Sequence, residues 1–187
     1  MSDAFAAPLE ELAATARRVA VQLGPALETA LNMVRETVKR GGTLYFCGNG
    51  GSAADAQHLA TEYVVRYMRA RRAYPAVALT TDSSLLTAAG NDLGFDRVFS
   101  RQVEALAKPG DLLIIHTTSG NSPNLLRAAE AARAKGVQVL AMSAKDGGKL
   151  KALATHSVIV PTERTDRAQE VQLCIQHIIC DLVERDL

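Results

Sequence analysis

Apolar residues recur every three to four positions along the first forty residues of the chain. They form two stripes, the first Leu9, Leu12, Val19 and Leu23, the second Leu27, Leu31, Val34 and Val38. This spacing matches the 3.6-residue period of an amphipathic helix. Gly24 and Pro25 separate the stripes, and proline is favoured in the first turn of a helix. The pattern therefore predicts two helices, the second ending at Gly41 and Gly42.

From residue 43 onwards, short apolar runs alternate with stretches of helical period. The runs predict strands at residues 43–47, 75–79, 111–116, 137–142 and 157–160. The intervening stretches predict helices at about residues 53–69, 83–89, 97–107, 123–135 and 166–185. Apolar strands that alternate with helices are typical of a parallel sheet covered on both faces. We therefore expect an α/β fold, a doubly wound parallel five-stranded sheet with an N-terminal helical extension.

Composition and charge narrow the function classes. Of the 187 residues, 48% are apolar and 22% charged, and the formal net charge is +1. A nucleic-acid partner would need a large positive excess, so none is expected. No apolar run approaches the roughly 18 residues of a membrane span, and no signal peptide is apparent. Cys47, Cys174 and Cys180 show no CxxC spacing and are expected to be buried, reduced thiols in a cytoplasmic protein.

Two turns at strand ends have the composition of anion-binding loops. Residues 47–52 are rich in glycine, and residues 117–122 are rich in hydroxyl groups; each turn leads from a predicted strand into a predicted helix. Glycine lets the backbone approach an anion, and a helix N-terminus offers free N–H groups. Ligands of open α/β sheets bind at this edge. The sequence predicts a phosphate site here; the alternative is a pair of tight turns that bind no ligand.

The first turn also fits a dinucleotide-binding fingerprint, with Gly48, Gly50 and Ala53 in a GxGxxA arrangement. That fingerprint requires an acidic residue about 20 positions further on. The best candidate, Asp82, lies well beyond that spacing. The fingerprint also leaves the second turn unexplained, so a nicotinamide enzyme is the weaker interpretation.

His58 and Glu62 are four residues apart on the helix that follows the first turn, so their side chains share one face and could bind one cation. The alternative is an exposed pair with no metal. His177 lies in an apolar stretch of the last helix, where a buried structural histidine is the alternative. His116 and His156 are expected to be structural.

Five motifs together resemble the phosphoheptose isomerases, which belong to the sugar-isomerase (SIS) domain family. They are CGNGGSAADAQH at 47–58, GND at 90–92, TSGNS at 118–122, KDGG at 145–148 and DRAQE at 166–170. The resemblance spans almost the whole chain and implies a SIS, flavodoxin-like fold. The TSGNS turn is shared by many SIS proteins, whereas the combination of His58, Glu62, Gln169 and His177 is more specific to the isomerases.

The resemblance implies roles for individual residues. It implies zinc bound by His58, Glu62, Gln169 and His177. It implies substrate contacts from Asn49, Gly50, Gly51, Glu62, Asn91, Asp92, Thr117, Thr118, Ser119, Ser122 and Gln169. Glu62 and His177 are the implied acid–base pair, with Asp166 as a possible helper, and Ser52 and Arg66 are further candidates for substrate contacts. Relatives often have serine at the position of Thr117, which keeps the hydroxyl group.

The implied reaction interconverts sedoheptulose 7-phosphate and D-glycero-D-manno-heptose 7-phosphate through an enediol, and its product would feed heptose precursors of cell-surface polysaccharide. One alternative is a non-catalytic SIS protein that binds a replication initiator. Proteins of that kind lack the acid and the imidazole at the positions that match Glu62 and His177. Another is a SIS enzyme acting on an amino-sugar phosphate, which would not need the four ligands. The basic residues Arg66, Arg69, Arg71 and Arg72 are expected to be a solvated helix end.

The implied partners are a small sugar phosphate and further copies of the chain, which resemblance suggests form a tetramer. We assign residues 1–40 to N-terminal helices in the oligomer core and residues 41–187 to the SIS sugar-phosphate isomerase domain. Gln169 and His177 are eight positions apart, about 12 Å along a straight helix. Either one ion lies between the two side chains with both fully extended, or the ligands come from different copies of the helix. We favour a site at a subunit interface and expect Glu62 and His177 of one site to come from different chains.

Overall fold

A five-stranded parallel sheet forms the centre of the molecule in a computed structural model that describes residues 3–187. The strands are β1 (Leu44–Cys47), β2 (Ala76–Ala78), β3 (Leu112–His116), β4 (Gln138–Ala144) and β5 (His156–Val160). Their order is β2-β1-β3-β4-β5, and every neighbouring pair is parallel. The order reverses direction at β1 and β3, so the loops after these two strands lie side by side at one edge.

Helices cover both faces of the sheet. They are α1 (Asp3–Gln22), α2 (Gly24–Lys39), α3 (Gly51–Val64), α4 (Ser83–Asp92), α5 (Ser100–Leu106), α6 (Pro123–Ala134), α7 (Leu150–Leu153) and α8 (Thr165–Asp186), with a 3-10 turn at Phe95–Arg97. The predicted fold class, a doubly wound parallel five-stranded sheet with an N-terminal helical extension, is confirmed. Within residues 3–187, no helix combines the length and apolar character needed to cross a membrane.

Alternation along the strands builds two buried layers. Leu44, Phe46 and Ile114 point to the side covered by α2, α3 and α8, whereas Tyr45 and Leu113 point to the side covered by α5 and α6. The strands are apolar on both faces because both faces are covered.

The N-terminal helices follow the predicted stripes. Pro25 lies in the first turn of α2, and the buried face of α2 includes Leu31, Val34 and Val38. These three side chains belong to the same core as the strands, and both α1 and α2 contact α8. The division into residues 1–40 and 41–187 with different roles stays a prediction.

The largest error in the predicted elements concerns the end of α3. The helix ends at Val64 and not near residue 69, because the backbone N–H groups of residues 67–69 donate to the Glu184 carboxylate of α8. Arg71 is correspondingly not a solvated residue: its side chain is 8% exposed and pairs with Glu184. Cys174 is exposed, so the expectation of buried thiols is wrong there and holds only for the other two cysteines, all three being free.

Candidate functional site

The first phosphate-type turn, residues 47–52, lies between β1 and α3 and is covered by the last helix. A Cβ atom at Gly51 would lie 2.9 Å from Nε2 of Gln169, so a larger residue here would displace the Gln169 amide from the turn. The Gln169 amide also donates to Oγ of the buried Ser52 at 3.5 Å. The structure therefore brings Gln169 of the DRAQE motif to the first turn. Its assignment as a metal ligand stays a prediction.

The second turn, residues 117–122, lies between β3 and α6 and is supported by the KDGG motif. Gly120 has φ +65°, and a Cβ atom there would lie 2.0 Å from the carbonyl oxygen of Gly147. Leu150 N–H donates to the carbonyl oxygen of Gly120 at 2.9 Å. The motif at residues 145–148 therefore shapes the turn. Substrate contact by Thr117, Thr118, Ser119 and Ser122 stays a prediction.

A pair of amide side chains joins the two turns. Nδ2 of Asn49 donates to Oδ1 of Asn124 at 3.0 Å, and Nδ2 of Asn124 donates back to Oδ1 of Asn49 at 2.8 Å. Asn124 is buried in the first turn of α6. Asn124 was not among the residues predicted from the sequence; a polar residue at a core-facing position after the second turn was the available signal.

His58, Glu62 and His177 form a cluster that could hold a metal ion. Their ligand atoms, two imidazole nitrogens and a carboxylate oxygen, all lie within 4.8 Å of one another. The Nε2 atoms of His58 and His177 are 2.8 Å apart, and Nε2 of His58 is 3.3 Å from Oε1 of Glu62. The predicted helix-face pair is thus joined by a histidine from the other end of the chain.

The expectation that Glu62 and His177 of one site come from different chains is wrong for this structure. Both side chains belong to the same cluster within one chain. They meet because α3 and α8 pack against each other on one side of the sheet. The offset along α8 separates Gln169 from His177, but it places no limit on Glu62, which lies on another helix.

Zinc fits this set of donors. A tetrahedral zinc ion with bonds of about 2.0–2.1 Å keeps its ligand atoms about 3.4 Å apart. The separation of Nε2 of His58 and Oε1 of Glu62, 3.3 Å, is close to that value, and the two Nε2 atoms at 2.8 Å are closer together. Burial lowers the pKa of His177, and nearby His58 lowers it further, while Glu62 raises it. A lowered pKa favours the neutral imidazole, which is the form that binds metals.

Three further candidates, Asn91, Asp92 and Asp166, have other surroundings. Asn91 and Asp92 are exposed at the end of α4, where they bond to each other at 2.7 Å, and Asp92 lines a cleft between α4 and α5. Their contact with substrate stays a prediction. Asp166 pairs with Arg164 at 2.6 Å. Its pKa falls to about 2, chiefly because Arg164 donates hydrogen bonds to it, which makes it a weak proton acceptor at neutral pH.

The other two histidines, expected to be structural, lie in strands of the sheet, and of the two only His156 has a hydrogen-bond partner among the described residues. His116 is fully buried at the end of β3, and burial lowers its pKa to about 4. Nε2 of His156 lies 2.9 Å from the carbonyl oxygen of Ala26, which ties β5 to α2.

Comparison with known proteins identifies the family. Residues 9–144 match the family described as SIS domain. The phosphoheptose isomerase of Citrifermentans bemidjiense is 55% identical over 166 residues, which cover 89% of this chain and 86% of the relative. That of Trichlorobacter lovleyi is 47% identical over 188 residues, which cover 100% of this chain and 95% of the relative.

A solved structure shares the whole architecture. The phosphoheptose isomerase GmhA from Neisseria gonorrhoeae matches with a TM-score of 0.92 and 40% identity, covering 98% of each chain. High identity and near-complete coverage together show the family. The chain belongs to the phosphoheptose isomerases of the SIS domain family, which are aldose–ketose isomerases of sugar phosphates.

Proposed function

We propose that this chain interconverts sedoheptulose 7-phosphate and D-glycero-D-manno-heptose 7-phosphate with the assistance of bound zinc. The observation that carries the proposal is the convergence of His58, Glu62 and His177 on one point, on helices that border the first phosphate-type turn. Relatives named phosphoheptose isomerase support this substrate class. The product would supply heptose precursors for cell-surface polysaccharide.

The two turns are assigned to substrate binding. Hydroxyl groups of the second turn and main-chain N–H groups at the starts of α3 and α6 are suitable donors for phosphate oxygens. The proposed contacts are Asn49, Gly50, Gly51, Glu62, Asn91, Asp92, Thr117, Thr118, Ser119, Ser122 and Gln169. Because Asn49 and Asn124 bond to each other, the two turns form one continuous binding edge.

Glu62 and His177 are assigned to proton transfer. In the ketose-to-aldose direction the C1–H bond breaks and a C2–H bond forms, while O1 loses its proton and O2 gains one. This exchange through an enediol needs one group that removes a proton and one that delivers it. A carboxylate and a neutral imidazole that converge on one point provide both, and either can begin the exchange.

A bound zinc ion would stabilise negative charge on the sugar oxygens as the enediol forms. His58, Glu62 and His177 would hold the ion, and Gln169 is the fourth ligand implied by family resemblance. The carboxylate of Glu62 then has two roles, and the neutral state of His177 suits ligation.

We also assign residues 1–40 to the core of a homo-oligomer, a tetramer by family resemblance, in the cytoplasm. The exposed apolar side chains of α1 support an interface on this helix. Phe5 is 76% exposed, Leu9 62% and Val21 84%. Large apolar side chains that recur along one exposed helix are typical of a surface that meets a partner.

The test is an assay of the purified protein with sedoheptulose 7-phosphate in D2O, followed by NMR, alongside elemental analysis of bound metal. We expect conversion to the aldose with solvent deuterium at C2, loss of turnover with a strong chelator, and recovery with zinc. An amino-sugar phosphate serves as the control substrate. Full turnover by verified metal-free protein would refute the zinc assignment. Conversion of the control substrate alone would refute the assignment of sedoheptulose 7-phosphate as the substrate.

A further inference from the structure

The imidazole ring of His177 lies against the side chain of Tyr67. Their ring centroids are 5.2 Å apart and their planes are inclined by only 17°, so the two rings are stacked. The ring of His58 meets His177 edge-on, at 5.1 Å and 76°. His177 is therefore held on its face by Tyr67 and at its edge by His58. No motif of the sequence includes Tyr67.

Tyr67 is held in place by a buried carboxylate. It lies in the irregular segment 65–75 that follows α3. The side chain of Glu184 is 0% exposed and accepts hydrogen bonds from the N–H groups of Tyr67 at 2.7 Å, Met68 at 2.8 Å and Arg69 at 2.9 Å. Three charge-assisted hydrogen bonds to consecutive backbone groups fix the path of the segment, and therefore the origin of the Tyr67 side chain.

Arg71 extends this arrangement to Glu62. Its Nε donates to Glu184 at 2.9 Å, its Nη1 to the carbonyl oxygen of Tyr63 at 2.8 Å, and its Nη2 to that of Glu62 at 2.6 Å. The guanidinium group is planar, so one side chain sets three directions at once. The end of α3 is thereby tied to the end of α8.

We propose that Tyr67 is a positioning residue for His177, and that the Arg71–Glu184 ion pair is the clamp that holds Tyr67 and the end of α3 in register. The torsion that turns an imidazole ring is broad and roughly two-fold, so contacts with neighbouring groups, including packing against the ring face, select one orientation. Without the Tyr67 ring, His177 would sample orientations that direct Nε2 away from His58 and Glu62. The functional part of this inference rests on the proposed function above.

The test compares Tyr67→Leu, which removes the ring, with Tyr67→Phe, which keeps it and removes only the hydroxyl group. Zinc affinity, measured by competition with a chromophoric chelator, should fall about 10-fold or more in Tyr67→Leu, the size of effect known for residues that orient metal ligands. Tyr67→Phe should stay within about 2-fold of wild type. In turnover, Tyr67→Leu should lower kcat and leave KM for the sugar phosphate unchanged, because the turns that bind phosphate are untouched.

NMR of the 15N-labelled imidazoles of metal-free protein gives an independent result. The ring protons of His177 should be shifted upfield by the aromatic ring at position 67 in wild type and Tyr67→Phe, and should lose that shift and broaden in Tyr67→Leu. Circular dichroism checks that the variants are folded. Glu184→Gln weakens the clamp but leaves both rings in the protein, and it should lower zinc affinity and kcat, as Tyr67→Leu does. If wild-type protein neither binds zinc nor isomerises the sugar phosphate, the proposed function is refuted. The NMR result on metal-free protein would still decide whether Tyr67 positions His177. Unchanged His177 signals, zinc affinity and kcat in folded Tyr67→Leu would overturn the inference alone.

Discussion

The side-chain amide of Gln172 donates a hydrogen bond of 2.9 Å to the main-chain carbonyl oxygen of Thr117. Both residues are buried, at 0% and 5% exposure. Thr117 begins the second phosphate-type turn, and Gln172 lies on α8 between Gln169 and His177. This single bond therefore sets the helix that carries the ligand candidates against the turn assigned to phosphate.

Gln172→Leu should destabilise the protein by about 1 kcal/mol, because it leaves the buried carbonyl oxygen of Thr117 without its donor, while removal of Oε1 of Gln172, which has no partner within residues 3–187, offsets part of the loss. It should also raise KM for the sugar phosphate. Gln176→Leu is the matched control, since both polar atoms of Gln176 are buried without a hydrogen-bond partner in the described chain. That change should be neutral or stabilising. Urea unfolding of the two variants provides the comparison, and equal losses of stability would contradict the role of Gln172.

The reciprocal bonds of Asn49 and Asn124 should appear as an energetic coupling between the two turns. Asn49→Ala and Asn124→Ala should each raise KM for the sugar phosphate. The double variant should be less impaired than the sum of the two single changes, with a coupling free energy of about 0.5–3 kcal/mol, the range for residues in direct contact. The measurement is a double-mutant cycle on kcat/KM. Additive effects would show that the bonds do not couple the turns.

Glu62→Gln should lower turnover by about 100-fold or more, because it removes the carboxylate that is assigned to proton transfer. Zinc affinity should fall as well, since a neutral amide is a weaker ligand than a carboxylate. Glu163→Gln is the control: Glu163 is an exposed glutamate in the loop before α8 and should leave turnover unchanged. Near-normal turnover in folded Glu62→Gln would refute the assigned role.

Local pattern predicted most of the fold. The strands and their order of alternation with helices follow from apolar runs, because burial on both faces of a parallel sheet removes polar residues from the strands. The end of α3 did not follow from local pattern. The carboxylate that accepts hydrogen bonds from the following segment belongs to Glu184, which lies 115 residues from Arg69. A contact at that separation leaves no periodic signal in the sequence.

The site was predictable to the same extent. Helical spacing indicated His58 with Glu62, and strand-end composition indicated both turns. The crossing of α3 and α8, which decides whether His177 meets Glu62 in the same chain, depends on packing that spacing alone does not encode. Three residues, Asn124, Gln172 and Tyr67, were missed for a related reason. Each contacts a residue of the site that is distant in sequence.

Since Glu62 and His177 converge within one chain, inactive subunits should not complement each other. Oligomers reconstituted from Glu62→Gln and His177→Ala subunits should stay at background activity, because no chain in the mixture carries both intact groups. Native mass spectrometry with one subunit isotopically labelled would confirm that the chains mix. Recovery of a substantial fraction of wild-type turnover in such mixed oligomers would show that the working pair is shared between chains.

His116 should make the protein sensitive to acid. Its pKa in the folded protein is lowered to about 4 by burial, from an ordinary value of 6.5. Between these two pH values the unfolded chain therefore binds more protons at this residue than the folded chain, so the free energy of unfolding falls as the pH falls from 6.5 to 4 and levels off below. The full effect is roughly 3 kcal/mol, from 1.36 kcal/mol for each pH unit between the two pKa values.

Other groups titrate in the same range, so the informative quantity is the difference in stability between wild type and His116→Leu. Leucine cannot ionise, and it places an apolar side chain beside Phe46. Urea unfolding at pH 8.5, 7.5, 6, 5 and 4.5 should show wild type losing stability relative to the variant below pH 6.5, with a constant difference at the two highest pH values. Parallel stability curves for the two proteins would show that His116 is protonated equally in the folded and unfolded states.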